Sequence, residues 1–459
     1  MSTVSMAFSQ LPLISPLQDN LHSLEYTTMT PVQALTLPVI LAGKDVIAKA
    51  KTGSGKTAAF GLGILSAIKV DNYAVQSLVI CPTRELAEQV AIELRRLARL
   101  MNNVKILTLC GGTPIAHQIN SLEHGAHIIV GTPGRLLDHL QKNTLDLSEL
   151  RLLVLDEADR MLDMGFEDDI VSIIKQAPAQ RQTLLFSATY PDGIQKISNK
   201  IQQQAEFLAV DEVNNQIEQY FYEVDENSRK LLLAKLLTEH LAESTIIFCN
   251  TKIACQEVDN YLNQLGFSVI ALHGDLEQRE REQVLLQFTN KSKAILVATD
   301  VAARGLDIKE LDLVINYQIS YDPQVHVHRI GRTGRAGENG LAITLVAAHE
   351  MPKANLLEEL EKITLNWQTV NNMTVDKSRI VKPVMQTVSL TIGRKNKVRP
   401  GDILGALTKD AGLEGNLIGK IIITDLYSYV AINHKAIKKV LEYFKQGKIK
   451  GKSVRARAL

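Results

Sequence analysis

Ala50-Lys51-Thr52-Gly53-Ser54-Gly55-Lys56-Thr57 follows the apolar run Val46-Ile47-Ala48 and leads into a helix-prone segment from Ala58 to Ile68. Strand, glycine loop and helix in that order make a phosphate cradle. Gly53 and Gly55 let the backbone curl without Cβ clashes, so successive N–H groups converge on an anion at the positive end of the helix. Lys56 then reaches the β- and γ-phosphates of a nucleotide, and the Thr57 hydroxyl ligates Mg²⁺. The stretch departs from G-x-x-x-x-G-K-[ST] at its first position, where Ala50 stands for Gly. Taken alone, a glycine-rich turn with a stray lysine is the minor reading of the stretch.

Working outward, apolar runs recur at Ser77–Cys81, Lys105–Leu109, Ala126–Val130, Leu152–Leu155 and Thr183–Phe186, separated by helix-length segments. Strands without polar residues, alternating with helices, predict a parallel sheet covered on both faces. Binding loops in that architecture sit at the carboxyl ends of the strands. The polar stretches fall there: Pro82-Thr83-Arg84-Glu85-Leu86, Gly111-Gly112, Thr132-Pro133-Gly134-Arg135, Asp156-Glu157-Ala158-Asp159 and Ser187-Ala188-Thr189. Asp156 is placed to hold Mg²⁺ and Glu157 to orient or deprotonate an attacking water; taken alone, a carboxylate pair favouring a helix N-terminus accounts for the two equally well, but paired with the upstream phosphate loop it is the minor reading. Upstream, Thr30-Pro31-Val32-Gln33 supplies an amide that can read the two-faced edge of adenine, with Tyr26 and Phe8 as rings that can stack on it.

A second series of apolar runs follows, at Thr245–Cys249, Val269–Leu272, Ala294–Ala298, Leu313–Asn316 and Leu341–Val346, with no second phosphate loop. It ends in His328-Arg329-Ile330-Gly331-Arg332-Thr333-Gly334-Arg335, whose planar guanidiniums suit a γ-phosphate, although structural salt bridges can absorb one or two of them. The expected fold is therefore α/β, with two tandem parallel-sheet domains, 1–210 and 217–365, and a small α+β domain over 383–459.

The 459 residues exceed one ordinary core. The N-terminus carries no Lys or Arg before Lys44 and no run long enough to span a membrane, so the reading is a cytoplasmic protein without a membrane partner. Cys81, Cys110, Cys249 and Cys255 lack metal-ligand pairing and read as buried thiols rather than a zinc site. The overall charge of +1 conceals an asymmetry: Arg379 to Leu459 holds 17 Lys and Arg against 5 Asp and Glu. A basic tail on an acidic body points to a polyanion, with a lysine-rich solvated surface as the alternative.

From about Phe8 to Val346 these motifs, in this order, resemble the DEAD-box RNA helicases, which usually carry Ala at the position of Ala50. The departures are mild: Glu25 stands where Gly is common, and Met29 where Pro is common. The resemblance implies two RecA-like domains and an RNA-stimulated ATPase. MgATP is then held by Phe8, Tyr26, Gln33, Ala50, Lys51, Thr52, Gly53, Ser54, Gly55, Lys56 and Thr57, with Asp156 and Thr57 at the metal, Glu157 catalytic, and Asp307 at the ribose. Arg332 and Arg335 complete the site from the second domain, Arg335 as arginine finger. Pro82, Thr83, Arg84, Gly112, Thr132 and Arg135 line the RNA backbone in the first domain, and Asn250, Thr251, Gly274 and Thr299 in the second. Asp159, Ser187, Thr189, Gln278 and Arg281 couple the sites. A DNA translocase on the same core and an ATP-gated RNA clamp without unwinding are the competing readings.

The tail reads strand, helix, strand, strand, helix, strand (Met385–Ile392, Pro400–Asp410, Ile418–Thr424, Tyr427–Ile432, Lys435–Gln446, Ser453–Arg457), the order of an RNA-recognition fold. Tyr427 and Tyr429 share one face, for base stacking or for core packing, and Arg394, Lys395, Lys397 and Lys450 surround them. Arg399–Leu407 and Ile418–Ile421 resemble the tails of DEAD-box helicases that act on large-subunit ribosomal RNA. That resemblance implies a monomer working on a pre-ribosomal particle.

Overall fold

The apolar runs become strands because both of their faces are covered: Ser77–Ile80, Ile128–Gly131 and Leu152–Asp156 are buried at every position. The computed structural model describes residues 6–50, 53–190, 192–210, 217–303, 311–334, 340–370 and 374–459. The first sheet contains β1 (Val46–Lys49), β2 (Ser77–Ile80), β3 (Ile106–Leu109), β4 (Ile128–Gly131), β5 (Leu152–Asp156), β6 (Gln182–Ser187) and β7 (Glu206–Ala209) in the order β3-β4-β2-β5-β6-β1-β7. All of its pairings are parallel. The second contains β8 (Ile217–Glu223), β9 (Thr245–Cys249), β10 (Val269–Leu272), β11 (Ile295–Thr299), β12 (Leu313–Asn316), β13 (Gly340–Val346) and β14 (Trp367–Gln368) in the order β10-β11-β9-β12-β13-β8-β14. Counted from its own first strand, each sheet has the same order, so the halves repeat one RecA-like topology. All four cysteines are buried free thiols.

The tail folds around its own core of Val388, Leu390, Ile403, Leu407, Val430, Ile432, Val440 and Phe444. Its antiparallel sheet joins β15 (Met385–Leu390), β16 (Ile418–Ile423), β17 (Ser428–Asn433) and, near the C-terminus, β20 (Ala456–Ala458), in the order β16-β17-β15-β20. The last strand begins later than the expected Ser453. Lys450 and Gly451, at φ of 51° and 76°, make a two-residue turn, and Lys452–Ser453 (β19) pairs back on Lys448–Ile449 (β18). Two consecutive positive φ values are what the primed hairpin turns require.

The chain divides into two compact units, one built on the first sheet and the other holding the second sheet and the tail together. The seam within the second unit is the sheet face that carries Tyr427 and Tyr429. Thr387 of β15, fully buried, shares a 2.6 Å hydrogen bond with Ser292 and accepts another from Asn290 at 3.3 Å. Gln283 hydrogen-bonds the Tyr429 hydroxyl, and the Arg279 guanidinium lies 5.2 Å from the Tyr427 ring centre. Tyr429 and Ala431 retain 5% and 2% of their surface. The two tyrosines therefore pack neither in the tail's core nor in an open groove, but on the helix Gln278–Thr289 of the second RecA-like domain.

Thr387→Val strands the Ser292 hydroxyl and the Asn290 amide in a buried seam, a loss of about 1–3 kcal/mol. The expected outcome is faster amide hydrogen exchange along β15 and a lower denaturation midpoint of the whole chain.

Candidate active site and nucleic-acid interface

β1 delivers the glycine loop to the edge of the sheet's carboxyl end, and the helix Lys56–Ala67 starts immediately after it. Gly55 caps that helix at φ 96°, and an added Cβ there would come within 2.5 Å of the Gln33 amide nitrogen. Gln33 is buried, donates to the Gly55 carbonyl at 3.1 Å and accepts from the Thr30 N–H at 2.9 Å. The Gln33 amide, the candidate reader of adenine, and the phosphate loop are thus held by one another. Phe8, also buried, stacks on Tyr26 at 6.0 Å, and Tyr26 is braced by Glu93 and by Arg96 over its ring. The partly exposed ring is Tyr26, and Phe8 backs it. The Lys56 ammonium is buried and bonds the Ala50 carbonyl at 3.0 Å, so Ala50 contributes through its backbone and needs no glycine.

Asp156 ends β5, and burial pushes its carboxyl up to about 6 against the opposing pull of Lys56. Glu157 follows at φ 53°, left-handed backbone that a glutamate adopts at a cost of about 1–3 kcal/mol, and it pairs with Arg160 at 3.3 Å. Asp159 accepts from the Ala188 and Thr189 N–H groups at 3.2 and 2.9 Å and from the Thr189 hydroxyl at 2.9 Å. The acidic stretch after β5 and the Ser187–Thr189 stretch after β6 are therefore one hydrogen-bonded unit. The Ser187 carbonyl also accepts the Ala50 N–H at 2.9 Å, which extends that unit to the phosphate loop. Thr57 hydroxyl and Asp156 carboxylate are hard oxygen donors, a set that fits Mg²⁺ and not a soft metal.

The polar stretches after β2, β3 and β4 lie side by side. Thr83 caps the helix Arg84–Leu97 through its hydroxyl. Arg84 is pressed against Gly111 so closely that a Cβ there would lie 2.8 Å from its guanidinium. Arg135 donates to the Thr113 carbonyl and, at 2.8 Å, to Gln118, which in turn holds the Cys110 carbonyl. Gly112 and Arg84 are exposed, Thr83, Thr132 and Arg135 half-buried, and Pro82 buried. In the second sheet Thr251 caps the helix Lys252–Leu265 in the same way after β9, with Asn250 before it, exposed Gly274 after β10 and buried Thr299 ending β11.

Arg329, only 1% exposed, organises this second row. It makes paired 2.6 Å bonds to both Asp300 carboxylate oxygens, one of 2.8 Å to Asn250 and one of 2.8 Å to the Gln318 carbonyl. The salt bridge expected to absorb one arginine of the His328–Arg335 cluster thus takes Arg329, a role no motif spacing identified. Arg332 is buried, and Arg281 reaches the Ala302 carbonyl at 3.4 Å from the helix that Gln278 begins. Lys51, Thr52, Asp307 and Arg335 lie outside the described residues. In the tail, Arg394, Lys395 and Lys397 are exposed, whereas Lys450 is tied to the Lys397 carbonyl at 2.9 Å and to Asp402 at 3.2 Å.

Residues 30–197 match the DEAD/DEAH box helicase family model, 228–337 the helicase conserved C-terminal domain, and 387–458 the DbpA RNA binding domain. The ATP-dependent RNA helicase DbpA of Escherichia coli K12 is 54% identical over 99% of each chain. The chain belongs to the DEAD-box RNA helicases. It is an ATP-dependent RNA helicase of the DbpA type, and it hydrolyses ATP. The DEAD-box helicase CshA of Geobacillus kaustophilus is 44% identical over 77% of this chain and 76% of its own. Among solved structures, Mss116p bound to single-stranded RNA and AMP-PNP matches with a TM-score of 0.74 at 27% identity, over 90% of this chain and 86% of that one. Dbp5 of S. cerevisiae bound to RNA and ADP BeF3 matches at 0.72 and 28%, over 79% and 95%.

Glu25, where these helicases commonly have Gly, sits at φ 59°, so the position wants left-handed backbone and the glutamate bears the strain. No helix among the described residues is long and apolar enough to cross a membrane. The buried Asp156 generates a pH prediction. A carboxyl at about 6 must lose its proton before it can ligate a cation, so with Asp156 as a Mg²⁺ ligand H⁺ would compete below that value and the apparent affinity would fall about tenfold per pH unit. RNA-stimulated ATPase at limiting Mg²⁺ should drop between pH 7 and pH 5, and added Mg²⁺ should restore it. A drop that excess Mg²⁺ leaves untouched assigns the loss to another group.

Proposed function

We propose that this helicase remodels short duplexes of large-subunit ribosomal RNA during assembly of that subunit, with the tail choosing the RNA and the two RecA-like domains doing the ATP-driven work. The single observation that carries the reading is the tail itself. It is an RNA-binding domain with a charge balance of 17 Lys and Arg against 5 Asp and Glu, following a core whose RNA-facing residues are Gly, Thr, Pro and single arginines. Residues of that kind suit phosphates and sugars, which carry little sequence information. The resemblance of Arg399–Leu407 and Ile418–Ile421 to tails that act on large-subunit ribosomal RNA supports the choice of target.

In this mechanism Gln33 and Tyr26, backed by Phe8, take the adenine, and Asp307 the ribose. Lys56 exchanges the Ala50 carbonyl for the β- and γ-phosphates. Thr57 and Asp156 would hold Mg²⁺, which would supply positive charge to the nucleotide's phosphates. Glu157 accepts a proton from the water that attacks the γ-phosphorus; the new P–O bond forms as the bond to the β–γ bridging oxygen breaks, leaving ADP and phosphate. Arg332 and Arg335 stabilise the transferring group in the RNA-bound state, and Asp159 with Ser187 and Thr189 carries the link between the nucleotide and the RNA.

Glu157→Gln keeps the shape of the side chain but cannot take up the proton, so it should bind MgATP and RNA normally and turn over at least about 100-fold more slowly in a single-turnover assay. The targeting is tested with Arg394→Gln/Lys395→Gln/Lys397→Gln in the full chain. Affinity for large-subunit fragments should fall, with a flatter salt dependence of about 0.7 log–log units per lost phosphate contact, while stimulation by saturating unrelated RNA persists. A wild-type preference for ribosomal fragments in that variant places the choice elsewhere. Strand displacement that fails on every short duplex, with ATPase intact, supports the clamp reading instead.

A further inference from the structure

The docked tail creates a junction that neither domain has alone. The helix Gln278–Thr289 opens Gln-Arg-Glu-Arg, and its two arginines diverge: Arg281 turns back to the Ala302 carbonyl, while exposed Arg279 turns to the tail and covers Tyr427. The turn before Tyr427 is gripped by the tail's basic loop. Arg394 donates from its backbone to the Thr424 carbonyl at 2.8 Å and from its side chain to the Ile423 carbonyl at 3.1 Å, and Lys395 donates to the Asp425 carbonyl at 3.0 Å. Leu426 stands beside them 57% exposed. One turn thus gathers Arg279 of the second RecA-like domain, Arg394 and Lys395 of the tail, a half-buried tyrosine and an exposed leucine. Asp425 is the carboxylate on the turn itself, and Glu280 is occupied in capping the Glu277 N–H at 2.9 Å.

We propose that this seam is an RNA-binding site: Arg279, together with Arg394 and Lys395, takes the phosphodiester backbone next to the segment held by the tail, and Leu426 with the open edge of Tyr427 meets a base. The physical case is preorganisation. A guanidinium stacked on an aromatic ring keeps its edge donors in a fixed plane, which suits a phosphate and loses little entropy on binding. The buried Thr387–Ser292–Asn290 bonds hold the tail's basic loop and the helix bearing Arg279 in one arrangement before RNA arrives. Docking removes the face on which an RNA-recognition sheet stacks bases. The exposed border of that face at Leu426 and Tyr427 is what remains open.

The inference rests on the reading that the tail selects RNA, and one experiment separates the two. Anisotropy of a labelled large-subunit fragment is measured against KCl with the full-length chain, its Arg279→Met variant and its Arg394→Gln/Lys395→Gln variant, with hydrogen exchange along β15 reporting docking. Methionine keeps an apolar body over Tyr427, so β15 should stay protected. Affinity should fall about three- to tenfold and the salt slope by about 0.7, and Arg279→Lys should restore the slope. ATPase at saturating unrelated RNA should be unchanged. Wild-type affinity and slope in Arg279→Met, with both reduced in the tail variant, overturns the seam site and leaves the tail reading standing. Wild-type behaviour in both overturns the two together. Should β15 loosen in Arg279→Met, Thr387→Val supplies the comparison: an equal loss of RNA affinity there makes Arg279 a docking residue and overturns the proposal.

Discussion

Strands buried on both faces can present polar chemistry only at their ends. β2, β4 and β5 have no exposed position, so the polar groups of their motifs sit at the strand's carboxyl end or on the loop or helix cap that follows it. This constraint sorts the work by strand. The loops after β1, β5 and β6 hold the phosphate cradle, the acidic pair and the Ser187–Thr189 stretch, and those after β2, β3 and β4 hold Thr83, Gly112 and Thr132. β5 lies between β2 and β6, so the two groups of loops adjoin along one edge. Asp159, in the loop after β5 at that boundary, is bonded three times to the loop after β6.

The second sheet repeats the order and keeps half of the plan. Thr251 caps the helix after β9 as Thr83 caps the helix after β2, each through its hydroxyl, and each helix runs for 14 residues. A capped helix of that length presents a positive N-terminal end, which suits a phosphate without reading a base. What the repeat lacks is the cradle: no glycine loop follows β8. In its place Arg329 draws Asp300, Asn250 and Gln318 together, so the carboxyl ends of β9, β11 and β12 are held by one buried guanidinium. A buried arginine with paired carboxylate bonds is costly to leave unpaired, and that cost keeps the three loops in register.

Much of this was legible in the sequence because it depends on spacing and residue type. The glycine loop, Asp156-Glu157 at a strand end and the Gly-Thr-Arg stretches announce themselves locally, and the apolar runs between them have helix-length gaps. Arg329 was not separable from Arg332 and Arg335 by pattern, since which guanidinium meets Asp300 depends on how the helix Pro323–Ile330 lies against β11. Lys450 read as one more cation near the tyrosines. Its place on a two-residue turn, facing Asp402 and the Lys397 carbonyl, follows from a hairpin whose strands are only two residues long and carry no alternation to read. Alternation did place Tyr427 and Tyr429 on one face. It could not say what covers that face, because the partner helix lies more than a hundred residues earlier.

The chemistry of that cover matters for how the tail works. Val388 and Val430 point into the tail's own core, while the seam is made by Thr387, Ala431, the two tyrosines, Ser292, Asn290, Gln283 and Arg279. Polar seams of this kind gain about 0.5–1.5 kcal/mol per net hydrogen bond, far less than an apolar interface of the same extent. The tail is therefore oriented by directional bonds without being welded in place by a greasy core. A fixed orientation gives an RNA bound by the tail a defined approach to the carboxyl ends of the second sheet in the same unit, whereas a tail on a free linker would present it at every angle.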